Sequence, residues 1–149
     1  MTARGAQVRG VPVVMSGRGD VLAPATVGLV PWTLVHHGFG VRSPDAYRWW
    51  DEDGAVSGPD PDALLEAAAA GDAERLGPLL FNDLEGPVAA RHPEIAATKR
   101  ALLEAGALGA VMTGSGSTVV ALARDEAHAG ALASRFEGAV AASGPVVAG

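Results

Sequence analysis

The sequence predicts an α+β fold, a ferredoxin-like split βαβ sandwich in which an antiparallel sheet of about four strands carries helices on one face. Three observations lead there. Short Val- and Thr-rich runs with period-two alternation stand toward both ends of the 149-residue chain. Between them lie segments opened by Ser, Asp or Pro and closed by Gly, with apolar residues at helical spacing. A glycine-rich hairpin also separates two of the strand-like runs. Strand, helices, hairpin, helix, strand is the order of a split βαβ unit, and no internal repeat competes with it.

Taken in order, residues 1–24 are Gly- and Arg-rich and lack a periodic apolar face. They read as a leader, the remnant of an interdomain region, with ordered structure expected from near Val27 and one domain over residues 25–149. Leu29 to His36 alternates around Trp32, Thr33 and Val35 and reads as the first strand, with Pro31 tolerable only at an edge or strand start. Ser43-Pro44-Asp45 opens a helix with Ser43 as N-cap. Asp60-Pro61 opens another that runs through Ala70 and stops at Gly71. Pro93 begins a helix that turns Ile95, Leu102 and Leu103 inward and ends at Gly106. Two short strands, Ala110–Thr113 and Thr118–Ala123, flank the hairpin, Asp125 to Phe136 is a last helix, and either Ala139–Ala142 or Pro145–Ala148 is the final strand.

The hairpin is where chemistry is concentrated. Gly114-Ser115-Gly116-Ser117-Thr118 is read two ways: as a tight glycine turn that binds nothing, or as a loop whose backbone N–H groups cradle an anion. It is not a Walker loop, which needs a lysine beside the final Ser or Thr. It is not the dinucleotide fingerprint either, because Val119 stands at the third glycine position and a strand follows. Ser115 reads as an exposed hydroxyl whose removal changes stability little. Asn82-Asp83-Leu84-Glu85 carries a second ambiguity: Asn82 and Glu85 have the spacing of a capping box, with the helix restarting at Pro87. His36, His37 and His92 show no HxxxH or HExxH spacing, so no metal site is assigned to them.

Phe81 to Glu85, Pro93-Glu94-Ile95, Lys99, the Gly106-Ala107 turn and Met112 to Thr118 occur together in this order. Upstream stand Gly40 to Ser43, Tyr47 and Asp51, and before them Arg18-Gly19-Asp20. From about Val11 to the C-terminus this combination resembles the C-terminal half of the GHMP small-molecule kinases. It is most similar to the branch that phosphorylates the 2-hydroxyl of 4-diphosphocytidyl-2-C-methyl-D-erythritol in non-mevalonate isoprenoid biosynthesis. The resemblance implies ATP and Mg²⁺ as cofactors of the complete enzyme, with that cytidyl compound as substrate. It places Gly114, Ser115, Gly116, Ser117 and Thr118 as a substrate or phosphate loop, with Asn82, Asp83 and Glu85 in support. The family's N-terminal phosphate loop, lysine and catalytic aspartate are not recognisable, and Gly10 stands where Arg9-Gly10-Val11-Pro12 would hold that aspartate. No residue is therefore assigned as catalytic. The chain is expected to be inactive without a missing N-terminal half or a partner chain supplying it.

Composition narrows the remaining classes. A 48% hydrophobic chain of this length can bury roughly two-thirds of its unfolded surface. Net charge is −6 and the eleven basic residues, all arginine except Lys99, are scattered, which argues against nucleic acid and anionic lipid as partners. The absence of cysteine excludes a disulfide framework and thiolate catalysis, and fits a cytoplasmic protein. No run of about 18 apolar residues is present. The alternative to half a kinase is a non-enzymatic module that holds a small molecule or a partner protein on the same ferredoxin-like scaffold.

Overall fold

The computed structural model describes residues 12–16, 20–54, 56 and 58–144. The Arg9-Gly10-Val11 and Arg18-Gly19 segments, and the alternative last strand at Pro145–Ala148, lie outside the described residues.

Extended structure begins earlier than Val27. Strands β1 (Val13–Ser16) and β2 (Val21–Pro24) form an antiparallel ribbon, with Val13 opposite Pro24 and Ser16 opposite Val21. Val13, Val14 and Val21 favour extended backbone whether or not a core lies beneath them, and a search for a core-facing period passes over such runs.

The main sheet contains β3 (Val30–Val35), β4 (Gly109–Met112), β5 (Val119–Leu122) and β6 (Val140–Gly144) in the order β4-β5-β3-β6, all neighbours antiparallel. β3 is therefore an inner strand, and Pro31 fits only as its second residue. Pro31 donates nothing, but its carbonyl accepts the Ala123 N–H at 3.0 Å.

Alternation along β3 and β5 gives the sheet two apolar faces. Val35, Val119, Ala121 and Ala123 face one way, with Ala110 and Met112 of β4. On this face lie helices α5 (Pro93–Glu104) and α6 (Glu126–Ala133), whose Ile95, Leu102, Ala129 and Leu132 are almost fully buried. The Thr33 hydroxyl, also buried, donates to the Ala129 carbonyl at 2.7 Å, so its polar atom is satisfied inside the core. The opposite face carries a smaller cluster: Val30, Trp32 and Leu122 meet Ala67 and Ala68 of α2 (Pro61–Ala70) and Leu76 of α3 (Ala73–Leu76).

Helix boundaries follow local chemistry. Asp60 accepts the Asp62 N–H at 3.0 Å ahead of α2, and Gly71 ends that helix at φ 65°. Asp125 accepts the His128 N–H at 2.7 Å ahead of α6. Two starts differ from expectation. α1 spans Ser43–Asp53 with Arg42 at the N-cap, so Ser43 is the first helical residue and its hydroxyl is spent elsewhere. α4 spans Glu85–Arg91 rather than restarting at Pro87; proline is harmless in a first turn, where its missing N–H has no intrahelical acceptor. Arg91 joins α4 to α1 through Asp53, at 2.7 Å. The hydrogen bond from Arg91 holds the Asp53 carboxyl below its ordinary value. Among the described residues no helix is long and apolar enough to cross a membrane.

A short 3₁₀ turn, Gly77–Leu79, lies against the start of β4 so closely that a Cβ on Gly77 would come within 2.2 Å of the Leu108 carbonyl oxygen. Backbone cannot retreat as a side-chain tip can, so Gly77→Ala is expected to cost about 1–3 kcal/mol. Gly130, in the middle of α6, has open space around its missing Cβ. There Gly130→Ala is expected to stabilise by about 0.5–1 kcal/mol through helix propensity alone. Urea unfolding of the two variants should therefore move the midpoint in opposite directions.

Candidate functional site

The glycine loop joins β4 to β5 at one end of the main sheet. The Thr113 N–H donates to the Thr118 carbonyl at 2.9 Å and the Gly116 N–H to the Thr113 carbonyl at 3.0 Å, closing the turn. Gly114 (φ 54°) and Gly116 (φ 99°) occupy left-handed backbone, where a side chain would be strained. The hairpin reading is sound as local structure. It does not account for the number of groups that converge on the loop from other elements.

Asn82 is the first of these. Its Nδ2 donates to the Met112 carbonyl at 2.7 Å and to the Gly114 carbonyl at 2.8 Å, while its Oδ1 accepts the Leu84 N–H at 3.0 Å. It thus stabilises its own turn and ties that turn to the loop. Glu85 does not reach back to Asn82 as a capping box requires. Its Oε2 accepts the Met112 N–H at 2.7 Å and its Oε1 is paired with Lys99. The geometry explains why: β4 is an edge strand whose Met112 N–H points outward, and a half-buried carboxylate neutralised by Lys99 satisfies it. Lys99 belongs to this brace rather than to a bare helix surface. Asp83, between them in sequence, is exposed and makes none of these contacts.

The other side of the loop rests on the segment between β3 and α1. Ser115 Oγ donates to the Val41 carbonyl at 2.9 Å and receives the Ser43 hydroxyl at 3.4 Å. Ser115 is therefore a tie and not the exposed, dispensable hydroxyl that its loop position suggests. Ser117, 2% exposed, donates its hydroxyl to the Phe39 carbonyl. His36 Nδ1 lies 2.5 Å from Thr118 Oγ1, and His37 Nδ1 lies 2.6 Å from the Ser117 carbonyl oxygen. Sequence reasoning weighed the two histidines only as metal ligands. The signal that would have found them is register: Val35 pairs with Val119, so the residues just after β3 fall beside those just before β5.

These tethers engage side chains and carbonyls. Among the described residues, no protein acceptor meets the N–H groups of Gly114, Ser115, Ser117 and Thr118. A trans peptide unit points its carbonyl and its N–H in opposite directions. Pinning the Gly114 carbonyl on Asn82 therefore turns the Ser115 N–H away from the protein. An N–H turned outward in this way, as at Ser115, suits an oxyanion and repels a cation.

Residues 64–142, more than half of the chain, match the family described as GHMP kinases C terminal. The chain belongs to the GHMP kinase C-terminal family. The GHMP match takes in the loop, Asn82, Glu85 and Lys99, while His36, His37 and Ser43 lie before it. Curated relatives of this GHMP domain include 4-diphosphocytidyl-2-C-methyl-D-erythritol kinases. That of Gloeobacter violaceus is 38% identical over 137 residues, covering 88% of this chain and 45% of the relative. That of Symbiobacterium thermophilum is 42% identical over 134 residues, covering 84% and 45%. The chain thus spans about half the length of the curated relatives it matches. Among solved structures, 4-(cytidine 5'-diphospho)-2C-methyl-D-erythritol kinase superposes with a TM-score of 0.76 at 31% identity, covering 91% of this chain and 50% of that one. Homoserine kinase from Cytophaga hutchinsonii superposes at 0.65 with 18% identity, a likeness of fold, covering 88% and 47%.

Two substitutions test the ties that hold the GHMP loop. Ser115→Ala leaves the Val41 carbonyl without its donor and is expected to cost about 0.5–1.5 kcal/mol. Glu85→Ala strands both the Met112 N–H and the Lys99 ammonium, at an expected cost of about 1.5–3 kcal/mol. Chemical denaturation should rank Glu85→Ala below Ser115→Ala, and Ser115→Ala below the native chain.

Proposed function

We propose that this chain is the C-terminal part of an ATP-dependent kinase that phosphorylates the 2-hydroxyl of 4-diphosphocytidyl-2-C-methyl-D-erythritol, a cytoplasmic step of non-mevalonate isoprenoid biosynthesis. The names of the relatives support the substrate. The observation that carries the chemistry is that the N–H groups of Gly114, Ser115 and Thr118 meet no protein acceptor among the described residues, on a loop anchored by Asn82, Ser115 and Ser117. Phosphoryl transfer spreads negative charge over oxygens, and fixed backbone donors stabilise that charge without reorganising at the moment of reaction. In this reading the loop receives phosphate oxygens of the substrate or nucleotide, with Asn82 and Glu85 supporting it from beneath. Asp83 lies exposed beside them in sequence.

The donor set also limits what the chain does. ATP and Mg²⁺ are the cofactors of the family. Backbone N–H groups fit phosphate and cannot ligate Mg²⁺, and among the described residues no group of three or more His, Asp or Glu side chains could hold a metal. Lys99, the sole lysine, is occupied by Glu85. In this reading the group that orients the attacking hydroxyl and the site that holds the metal are supplied by an N-terminal half, on the same polypeptide or on a partner chain.

A coupled ADP-release assay with the cytidyl substrate tests this division. The 149-residue chain alone should show no turnover, and supplying the N-terminal half of a related kinase should restore it. Steady turnover by the chain alone, on the order of 1 s⁻¹ or more, contradicts the division of labour. A complemented enzyme whose kcat/KM is indifferent to substitution of Asn82 contradicts the role given to the loop, and failure of complementation to restore turnover points instead to a binding module on the same scaffold.

A further inference from the structure

We infer that His37 is a positioning residue, whose Nδ1–H holds the Ser117 carbonyl inward and thereby aims the Thr118 N–H out of the loop toward an anion. The inference rests on the proposed reading of the loop as a phosphate cradle and adds the residue that sets one of its donors.

The argument begins with proton bookkeeping. A carbonyl oxygen only accepts, so the 2.6 Å contact between His37 Nδ1 and Ser117 requires the proton on Nδ1. In the neutral ring Nε2 is then an acceptor, and Thr98 Oγ1 on α5 lies 3.0 Å away to donate to it. Both ring nitrogens are thus assigned by their partners, and the ring is clamped between a core helix and the loop, with Phe39 at 5.7 Å beside it. The Ser117–Thr118 peptide is trans, so fixing its carbonyl on one side fixes its N–H on the other. Donation to the carbonyl also polarises the peptide, which makes the opposite N–H a stronger donor. His36 completes the arrangement by holding the Thr118 hydroxyl, so the side chain of the residue whose N–H is presented is immobilised as well. Asn82 does for Gly114 and the Ser115 N–H what His37 does for Ser117 and the Thr118 N–H.

Two substitutions separate positioning from mere packing. The side-chain amide of asparagine sits where His Nδ1 sits, whereas that of glutamine reaches the position of Nε2. His37→Asn therefore keeps the donor to Ser117 and loses Thr98; His37→Gln keeps contact with Thr98 and loses the donor. With the 149-residue chain, histidine ring ¹⁵N shifts should report the Nδ1–H tautomer for His37. Inorganic pyrophosphate, followed by amide shifts of the loop, should bind His37→Asn nearly as it binds the native chain. It should bind His37→Gln about tenfold more weakly, the factor expected for one misdirected hydrogen bond. Thermal melts establish that both variants are folded. An Nε2–H tautomer, or equal weakening in both variants, overturns the inference. If pyrophosphate moves no loop amide in the native chain, the cradle reading itself fails. The positioning role is then decided by the Thr118 amide resonance, which must keep its native shift in His37→Asn and move in His37→Gln; any other pattern overturns it.

Discussion

The pairing of β3 with β5 is the constraint on which the rest of the molecule depends. Val35 lies opposite Val119, and that register carries beyond the strands: His36 falls beside Thr118 and His37 beside Ser117. A shift by one residue would turn Thr33 and Val35 to the other face of the sheet and Val30 and Trp32 with them, exchanging the two apolar clusters. The cost of that exchange in buried Val, Ile and Leu side chains, each worth about 1.5–3 kcal/mol, is what fixes the register. The loop's position over the β3–α1 segment is thus decided by the core, well away from the loop.

The opposite wall of the loop is decided by the sheet's edge. β4 is the outermost strand, and an edge strand leaves every second main-chain group without a partner. Here the vacancy at Met112 is filled from the start of α4 and the turn before it, with Glu85 accepting its N–H and Asn82 donating to its carbonyl. Gly77 closes on the other end of the same strand, where only a residue without a Cβ fits. Closing the edge and bracing the loop are one structure, since both hydrogen bonds to Met112 come from the residues that also reach Gly114 and Lys99.

Most of the fold was legible in the sequence because it rests on local signals. Pro61 and Gly71 bound α2, Asp125 caps α6, and alternation around Trp32 and Thr33 marks β3. The loop was legible too, since Gly114 and Gly116 stand out in any strand pattern. What escaped was every contact made across the chain. Asn82 and Glu85 have the spacing of a capping box, and only the position of β4 shows that they serve a strand thirty residues on. Ser43 has the chemistry of an N-cap, yet its hydroxyl belongs to Ser115. The histidine pair offers no local pattern at all, because its meaning lies in what β5 places opposite.

In the proposed reading the donors of the site are main-chain N–H groups, which would make them nearly invisible to genetics. No exchange of side chain deletes an amide hydrogen except exchange for proline, which also forces φ to a value that the glycines of this loop do not adopt. Variation at Ser115, Ser117 or Thr118 therefore samples the loop's attachments and leaves its main-chain N–H groups in place. On that reading, a survey of substitutions across the domain would find the effects displaced onto the residues that brace the loop, at Asn82, Glu85 and the histidine pair, while the N–H groups proposed to meet the anion would register as silent.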